Sequence, residues 1–599
     1  MRINKLTAGL AAAALLVLLP VACSGGGGKN GDATPEVGAD DAGTDYRTVD
    51  VAGDAAGEMP DDATVEVVPA HTGPHLIPGP GEDGYDADLE KLARLYDRQF
   101  HALNAFGMSI NADIMIQTDW TDQRAAIEKF LAESDSFDIE AVTGKHPHDL
   151  VTQWQKVAGL YAGVGIAADA YRYGTMRDHE YPAAEVDIAR THLLASLEAL
   201  HVATAVTGVP GVIARGYIRT DIPSEGKNTQ TLPLFDDQGN PQPEPKNNGS
   251  WRADNSVGGL YPNYIWEDSC SRDMYIGWVA AFGAAWEVLQ DDPTIPQNIK
   301  DRLRQDALDI GTQLTIVRKT GYDLEIPDAD GRTTLHGYMN ENCIDSCQDP
   351  KNYIPGVKNG FFAYMALGSA ATWAYITKDP TLEAFLYDSL IKQRQLDQIA
   401  LENPGAVNTG IGTNFSNFNM VFQGAVLALR YIDPAKAPDA LQTLRKALKF
   451  ELYDNGGSFQ PAEMGQSLFD FVYAGGMAGS SAFAPMKSVP DAGAVERGIE
   501  TLRQFPKPPF WEWAVENCDA DEIAAQHCAC VDGSEIDLLG EVGWKGTLVA
   551  STVLPMKIRP ASNYYWRSNP YGVNGGGDGS RLLSGVDFRY AYWLGRWSR

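Results

Sequence analysis

Carboxylates and aromatic rings occur together in the stretch SWRADNSVGGLYPNYIWEDSCSRD, residues 250–273. Cleavage of a glycosidic bond uses a pair of carboxyl groups, one as acid and one as base or nucleophile. Asp268 and Asp273 could form such a pair. Flat apolar ring faces are surfaces on which sugars stack, so this stretch also offers ligand contacts: Trp251, Arg252, Tyr264 and Trp266.

The same two aspartates could instead serve the start of a helix, because an apolar helical pattern follows them. Asp268 or Ser269 would then accept hydrogen bonds from first-turn amides. Asp273 would lie at the positive end of the helix dipole, where a carboxylate is favoured. Both interpretations stay open from the sequence.

Two further stretches combine polar side chains and rings. In NTGIGTNFSNFNM, side chains that both donate and accept hydrogen bonds suit a neutral, hydroxyl-rich ligand, although they also cap helices well: Asn414, Asn417 and Asn419. In RPASNYYWRSNPYG, the candidate ligand contacts are Tyr564, Trp566 and Arg567. Arginine stacking on aromatic rings could equally hold that loop against the helices without a ligand.

The standard motifs of several enzyme classes are missing. The chain has no G-x-S-x-G, no H-E-x-x-H and no G-x-x-x-x-G-K-[ST], which disfavours serine hydrolases, zinc hydrolases and phosphate-loop nucleotide binding. We therefore predict neither a cofactor nor a metal. A polysaccharide lyase remains an alternative, with Tyr264, Tyr564 or His336 as its base.

The spacing of apolar residues from about residue 86 onward is mostly helical. Twelve such segments can be taken in order as six pairs, and the connections between pairs are long: about 207–271, 318–358, 402–415 and 505–585. This pattern predicts a mainly α-helical fold, an (α/α)6 toroid of six helical hairpins with its long loops and short β-hairpins at one end. The final stretch VDFRYAYWLGRW predicts a closing helix whose rings pack inward.

The chain begins with a basic start, an apolar run and small residues before Cys23, a pattern typical of a bacterial lipoprotein signal peptide. We predict a signal peptide over 1–22, a lipid attached to Cys23, a disordered acidic tether over 23–84 and one helical domain over 85–599. Residues 24–90 hold 16 Asp and Glu against Lys29 and Arg47, and such a composition cannot form a core. The predicted location is the outer membrane or the cell surface, with the membrane as a partner.

The net charge is −31, which argues against binding to nucleic acid. Six cysteines follow Cys23, an even number that favours disulfides in an exported protein. The candidates are Cys270, Cys343, Cys347, Cys518, Cys528 and Cys530. Zinc is the alternative, because His527 adjoins Cys528 and His336 precedes Cys343.

Several stretches together resemble a group of large cell-surface lipoproteins of myxobacteria-like bacteria: TGVPGVIARG, WRADNSVGGLYP, NFSNFNM, WAVENCD and RPASNYYWRSNPYGVNGGGDG. That resemblance covers nearly all of the chain after the acidic tether. It implies location and a helical fold, and it supplies no catalytic residues. The layout is also similar to the toroids of six-hairpin glycosidases and polysaccharide lyases, which is a likeness of fold alone.

These observations predict a lipid-anchored, exported protein with a glycan-directed cleft, a glycoside hydrolase that uses Asp268 and Asp273. The alternatives are a non-catalytic lipoprotein that binds a glycan or a protein, and a polysaccharide lyase.

Overall fold

Helices make up most of the structure, a computed structural model that describes residues 75–106, 113–179, 181–223, 250–344, 356–402, 413–456, 459–518, 527–529, 535–542 and 547–599. The helices up to residue 314 are α1 (Ala87–Gln99), α2 (Thr121–Glu133), α3 (Ile139–Thr143), α4 (Pro147–Leu150), α5 (Gly159–Asp178), α6 (Ala183–Ala205), α7 (Arg272–Leu289) and α8 (Gln297–Leu314). Those that follow are α9 (Gly360–Thr377), α10 (Pro380–Ala384), α11 (Leu396–Glu402), α12 (Phe415–Tyr431), α13 (Pro438–Ala447), α14 (Ser467–Ala478), α15 (Ala492–Arg503) and α16 (Val586–Trp597).

The long helices fall into two kinds that alternate along the chain. Six are buried on nearly all sides: α5, α7, α9, α12, α14 and α16. A helix that is apolar all round must lie inside the protein, as the α9 sequence GFFAYMALGSAATWAYIT illustrates. The others, including α1, α8, α13 and α15, bury one stripe and expose the opposite face.

Each buried helix packs against at least two other buried helices. α5 contacts α7 and α16, α9 contacts α7 and α12, and α14 contacts α12 and α16. α7 and α12 also contact each other. Small residues allow the closest of these approaches. A Cβ added to Gly163 of α5 would lie 2.0 Å from the Gly277 carbonyl oxygen of α7, and one added to Gly368 of α9 would lie 2.5 Å from the Gly424 oxygen of α12.

Short strands occupy the segments that lead into the buried helices. They are β1 (Ile114–Met115), β2 (Gln153–Trp154), β3 (Val157–Ala158), β4 (Gly216–Arg219), β5 (Trp251–Ala253), β6 (Tyr264–Glu267), β7 (Glu325–Pro327), β8 (Thr333–Tyr338), β9 (Trp511–Val515), β10 (His527–Ala529), β11 (Glu535–Val542), β12 (Thr547–Ala550) and β13 (Gly575–Leu582). The sheet orders are β2-β1-β13-β9, β3-β4-β6-β5, β10-β11-β12 and the hairpin β7-β8, with antiparallel neighbours throughout.

The mainly helical fold is confirmed, and so are the closing helix α16 and a short β-hairpin, β7-β8. The pairing of helices in sequence order differs at one point. α1 packs more extensively against α16 than against α2, the helix that follows it in the sequence. Ordered structure also begins before residue 85, because the Leu76 and Ile77 amides donate to the carbonyls of Ser598 and Gly595 at 3.1 Å each.

Buried charges tie α1, α5 and α16 together. Arg589 of α16 contacts Asp97 of α1 at 2.6 Å and Asp169 of α5 at 2.5 Å, and all three side chains are buried. Arg172 also approaches Asp97, at 3.4 Å. A buried charge is strongly destabilising unless it is paired, so these helices depend on one another.

Cysteine pairing differs from the prediction at Cys270, which is a buried free thiol. Cys343 and Cys518 are disulfide-bonded. The other candidates, Cys347, Cys528 and Cys530, have side chains that lie outside the described residues. Among the described residues, no helix combines the length and the hydrophobicity that a bilayer crossing requires.

Candidate functional site

Partly exposed polar side chains gather where the buried helices α5 and α7 begin. Tyr161 lies in the first turn of α5, and Asp273 in the first turn of α7. Arg567 lies in a 3₁₀ turn, Tyr565–Arg567, that packs against α12. We call Tyr161, Arg215, Ser271, Asp273 and Arg567 the Asp273 cluster.

Asp273 receives its closest contact from Ser271, the residue that caps α7. The Ser271 hydroxyl donates to the Asp273 carboxylate, and Arg215 Nη1 donates to Ser271 Oγ at 2.6 Å. Arg215 also lies 3.6 Å from Glu267, which pairs with Lys156 at 2.9 Å. Sheet β3-β4-β6-β5 sets these positions, because Gly216 of β4 pairs with Glu267 of β6.

The charge of Asp273 is stabilised from two sides. Burial alone would raise the pKa of its carboxyl group, but the positive charges of Arg215 and Arg567 and the Ser271 hydrogen bond lower that pKa below its usual range. Arg567 also donates to the Tyr161 hydroxyl. Asp273 keeps partial solvent exposure although protein atoms surround it densely, which is the environment of an ionised group within reach of a ligand.

Asp268 lies in a different environment. The chain turns at Ser269, whose φ is 61°, and the Asp268 side chain is only 1% exposed. Arg252 Nε lies 2.9 Å from it, and the Ala329 amide donates to it at 3.3 Å. Burial, reinforced by Asp328, raises the pKa of Asp268 to about 6. Asp268 therefore joins α7 to the β7-β8 hairpin, away from solvent, and this position does not fit the catalytic role predicted for it.

The capping alternative takes a form that the sequence did not indicate. Ser271 is the N-cap of α7, and neither Asp268 nor Ser269 caps the helix. Ser271 directs its hydroxyl to Asp273 in place of a first-turn amide.

Three of the predicted ligand contacts are core residues. Trp266, Trp566 and Tyr564 are each 0% exposed, so they present no face to a sugar. The indole N–H of Trp266 donates to the Ala253 carbonyl at 2.9 Å, and that of Trp566 to the Asp587 carbonyl at 2.8 Å. Buried tryptophans need such partners for their N–H groups.

The remaining predicted contacts of residues 250–273 are half-buried. Trp251 lies beside Lys156, whose ammonium is 5.7 Å from the ring centroid. Tyr264 packs edge-to-face against Tyr217 and Tyr261. Arg252 is engaged by Asp268 and by Asp330 at 2.8 Å. These side chains hold the loop together and leave less of their surface for a ligand.

The three asparagines at the start of α12 have different surroundings. Asn414 is exposed and caps the helix through the Ser416 amide at 3.1 Å, and Asn417 is half-buried. Asn419 is 0% exposed, and neither polar atom of its side chain has a hydrogen-bond partner among the described residues. One turn further on, Gln423 contacts the Tyr564 hydroxyl at 3.5 Å. Asn419 therefore lies on the helix face that looks toward the 564–567 segment.

Asp113 is a candidate that the sequence did not indicate. It is half-buried, the Ser584 amide donates to it at 3.2 Å, and the Asn563 side chain hydrogen-bonds to it. Burial raises the pKa of its carboxyl group to about 6, against the opposing charge of Arg581. It stands in the unremarkable stretch NADIM, so no motif could have identified it.

Contacts connect Asp113 to the Asp273 cluster. Asn563 precedes Tyr564, whose ring centroid is 5.9 Å from that of Tyr161. The backbone of Asp113 also accepts a hydrogen bond from the Gln155 amide at 2.8 Å, just before the chain enters α5. Both partly exposed aspartates therefore lie around the beginning of α5.

Two cavities elsewhere are less suited to chemistry on a large substrate. One of about 60 Å³ between α1, α5 and α6 is lined by Phe137, Arg172 and Trp593, and a space of that size holds only a few water molecules. The other, about 410 Å³, runs along α1 and α15 and is lined by surface residues such as Lys91 and Lys507.

No protein-family model, curated protein or solved structure matches this chain.

Proposed function

We propose that the six buried helices form the inner ring of an (α/α)6 toroid. Their pairwise packing supports it, because the contacts run from α5 through α7, α9, α12 and α14 to α16 and back to α5. The alternation of buried and amphipathic helices supports it as well. In this arrangement the long loops lie at one end, where the buried helices begin.

At that end we propose a glycan-binding cleft that hydrolyses glycosidic bonds, with Asp113 and Asp273 as its carboxyl pair. The observation that carries the proposal is the position of two partly exposed aspartates around the beginning of α5, with Arg215, Arg567 and Tyr161 around Asp273. The opposite shifts of their pKa values agree with this pairing. A glycosidase needs one carboxyl group that holds its proton and one that is ionised. Asp113 has a raised pKa, and Asp273 has a lowered one.

Each residue has a defined role in this reaction. Asp113 donates its proton to the glycosidic oxygen as the bond to the leaving sugar breaks. A water molecule attacks the sugar carbon, and Asp273 accepts the proton of that water and balances the positive charge developing at the carbon. Arg567 and Tyr161 position the substrate.

A polysaccharide lyase is the second candidate, and a specific observation favours it. Around Asp273 lie four cationic side chains, those of Lys156, Arg215, Arg272 and Arg567, against the carboxylates of Asp273 and Glu267. This local positive charge in a chain of net charge −31 would suit a uronate. Tyr161, which accepts a hydrogen bond from Arg567, would transfer the proton.

We also propose the membrane as partner, through a lipid on Cys23, with the protein at the outer membrane or cell surface. The signal-like start of the chain and the acidic stretch that follows Cys23 support this proposal.

The test is a panel of neutral and uronate-containing glycans incubated with the purified full-length protein. The products are measured as new reducing ends and as the ultraviolet absorbance of an unsaturated uronate. Reducing ends without that absorbance establish a hydrolase, and both signals together establish a lyase. Thermal shifts on glycan addition without any product would show a binding protein and contradict catalysis.

Two variants assign the residues. Asp273→Asn is expected to lower turnover by about 100-fold or more, because an essential carboxylate is lost. Asp268→Asn is the matched control from the same loop, and it should retain turnover while lowering the melting temperature. Equal loss of turnover in the two variants would contradict the proposed carboxyl pair.

A further inference from the structure

Two histidines and a glutamate meet at the end of the molecule opposite the Asp273 cluster. His179 follows the last residue of α5, and His75 and Glu82 belong to the segment that precedes α1. α5 has 20 residues, which corresponds to a length of about 30 Å. This group is therefore remote from the candidate cleft.

The three side chains are close enough to share one ion. One ligand atom from each lies within 4.8 Å of the other two. By simple geometry, some point then lies no more than about 2.8 Å from all three atoms. Zinc binds imidazole nitrogen and carboxylate oxygen at about 2.0–2.2 Å, so inward shifts of less than about 1 Å would complete the coordination.

We propose that His75, Glu82 and His179 bind a divalent transition-metal ion, with zinc as the expected ion. Two imidazoles and one carboxylate are a donor set that suits zinc. Water would complete the tetrahedron.

The contacts already present orient the ligands. Glu82 holds His75 Nδ1 at 2.6 Å, and its other oxygen accepts from the Gly79 amide at 2.5 Å. The two imidazole rings lie 4.4 Å apart, centroid to centroid. His179 Nε2 is buried and has no hydrogen-bond partner among the described residues. An unpaired buried nitrogen lowers the stability of the folded state unless a ligand binds to it.

The surrounding charges permit a cation. Arg596 and Arg599 are the nearest positive groups. Arg596 lies 3.4 Å from Glu90, and Asp178 attracts Arg599. Glu90 and Asp178 thus offset part of the positive charge of the two arginines, and Glu82 would bring a negative charge directly to the ion.

The site would hold the segment that precedes α1 against the rest of the folded domain. His75 directly precedes Leu76 and Ile77, whose amides bond to the end of α16. An ion bound to both His75 and His179 would join this segment to α5. Because the ion binds the folded chain more tightly than the unfolded one, it should raise the melting temperature.

Zinc titration of the chelator-treated, full-length protein in detergent tests the proposal, with calorimetry and metal content after dialysis as readouts. We expect one zinc ion per chain at this site. His179→Gln and Glu82→Gln should each weaken that binding by about 100-fold or more. His201→Gln is the matched control, because His201 pairs with Asp306 at 2.7 Å on another face, and it should bind zinc as the wild type does.

Cobalt provides a readout that does not depend on variant stability. Wild-type protein loaded with Co²⁺ should show the visible absorption of a tetrahedral site, and zinc should displace it. No binding by the wild type, or equal binding by wild type and both ligand variants, would overturn the proposal.

Discussion

Asp113 and Asp273 have the same side chain in different surroundings. Asp273 is flanked by Arg215 and Arg567, whereas burial dominates at Asp113. The same side chain can therefore hold a proton in one position and release it in the other. This difference makes the proposed acid–base pair testable by pH alone.

Hydrolysis should fall as pH rises through about 6, because Asp113 must be protonated and its pKa is raised to about 6. Asp273 must be ionised, and its pKa is lowered, so the acid limb should lie below the ordinary range of aspartate. The measurement is the pH profile of kcat/KM. Asp113→Asn should abolish the limb near pH 6 together with most of the activity. A profile that is flat through pH 6 would contradict the role of Asp113.

Two residues of the proposed site, Asp273 and Arg567, were predicted from the sequence. They lie in stretches that are rich in aromatic and charged residues. Asp113 could not be predicted, because its carboxyl group is defined by Asn563 and Ser584, more than 400 residues further along the chain. Trp266 and Trp566 were wrongly predicted to contact a ligand for a related reason. A loop rich in aromatic residues can fold inward and form part of the hydrophobic core.

Close packing between the buried helices depends on a few glycines. α5 and α7 approach each other most closely at Gly163 and Gly277. Helical periodicity predicted both helices but not which of their faces meet, because that choice depends on the shape of the partner. The packing of α1 against α16 could not be predicted for the same reason.

Gly163→Ala should lower the free energy of unfolding by at least about 2 kcal/mol, because the new methyl group would overlap the α7 backbone. Gly493→Ala is the control in α15, where the added Cβ meets only the ends of flexible side chains at 3.3–3.4 Å. It should leave stability unchanged or raise it by up to about 1 kcal/mol. Both values come from urea unfolding followed by circular dichroism. Similar effects of the two substitutions would argue against tight α5–α7 packing.

At the scale of the whole molecule, the acidic stretch and the helical part differ in composition. Residues 24–90 hold 16 Asp and Glu against two basic residues, whereas the described part of the chain buries six long helices. Composition alone predicts this difference. The contact of Leu76 and Ile77 with the end of α16 was not predictable, because two backbone hydrogen bonds decide it.

Cys23→Ser should abolish palmitate incorporation in a bacterial host that processes lipoproteins, because the proposed lipid is attached through the Cys23 thiol. Radiolabelled palmitate incorporation measures the change, with Cys270→Ser as a control that retains the lipid. Equal palmitate incorporation by Cys23→Ser and the wild type would contradict the proposed anchor.

The contacts of Arg589 have a consequence for the order of folding. Asp97 and Asp169 lie far earlier in the chain than the guanidinium that contacts both of them. Without α16 they keep the weaker support of Arg172, at 3.4 Å from Asp97, and of His101, at 2.9 Å from Asp169. Removal of α16 should therefore loosen the packing of α1 against α5 and let proteases cut this region faster.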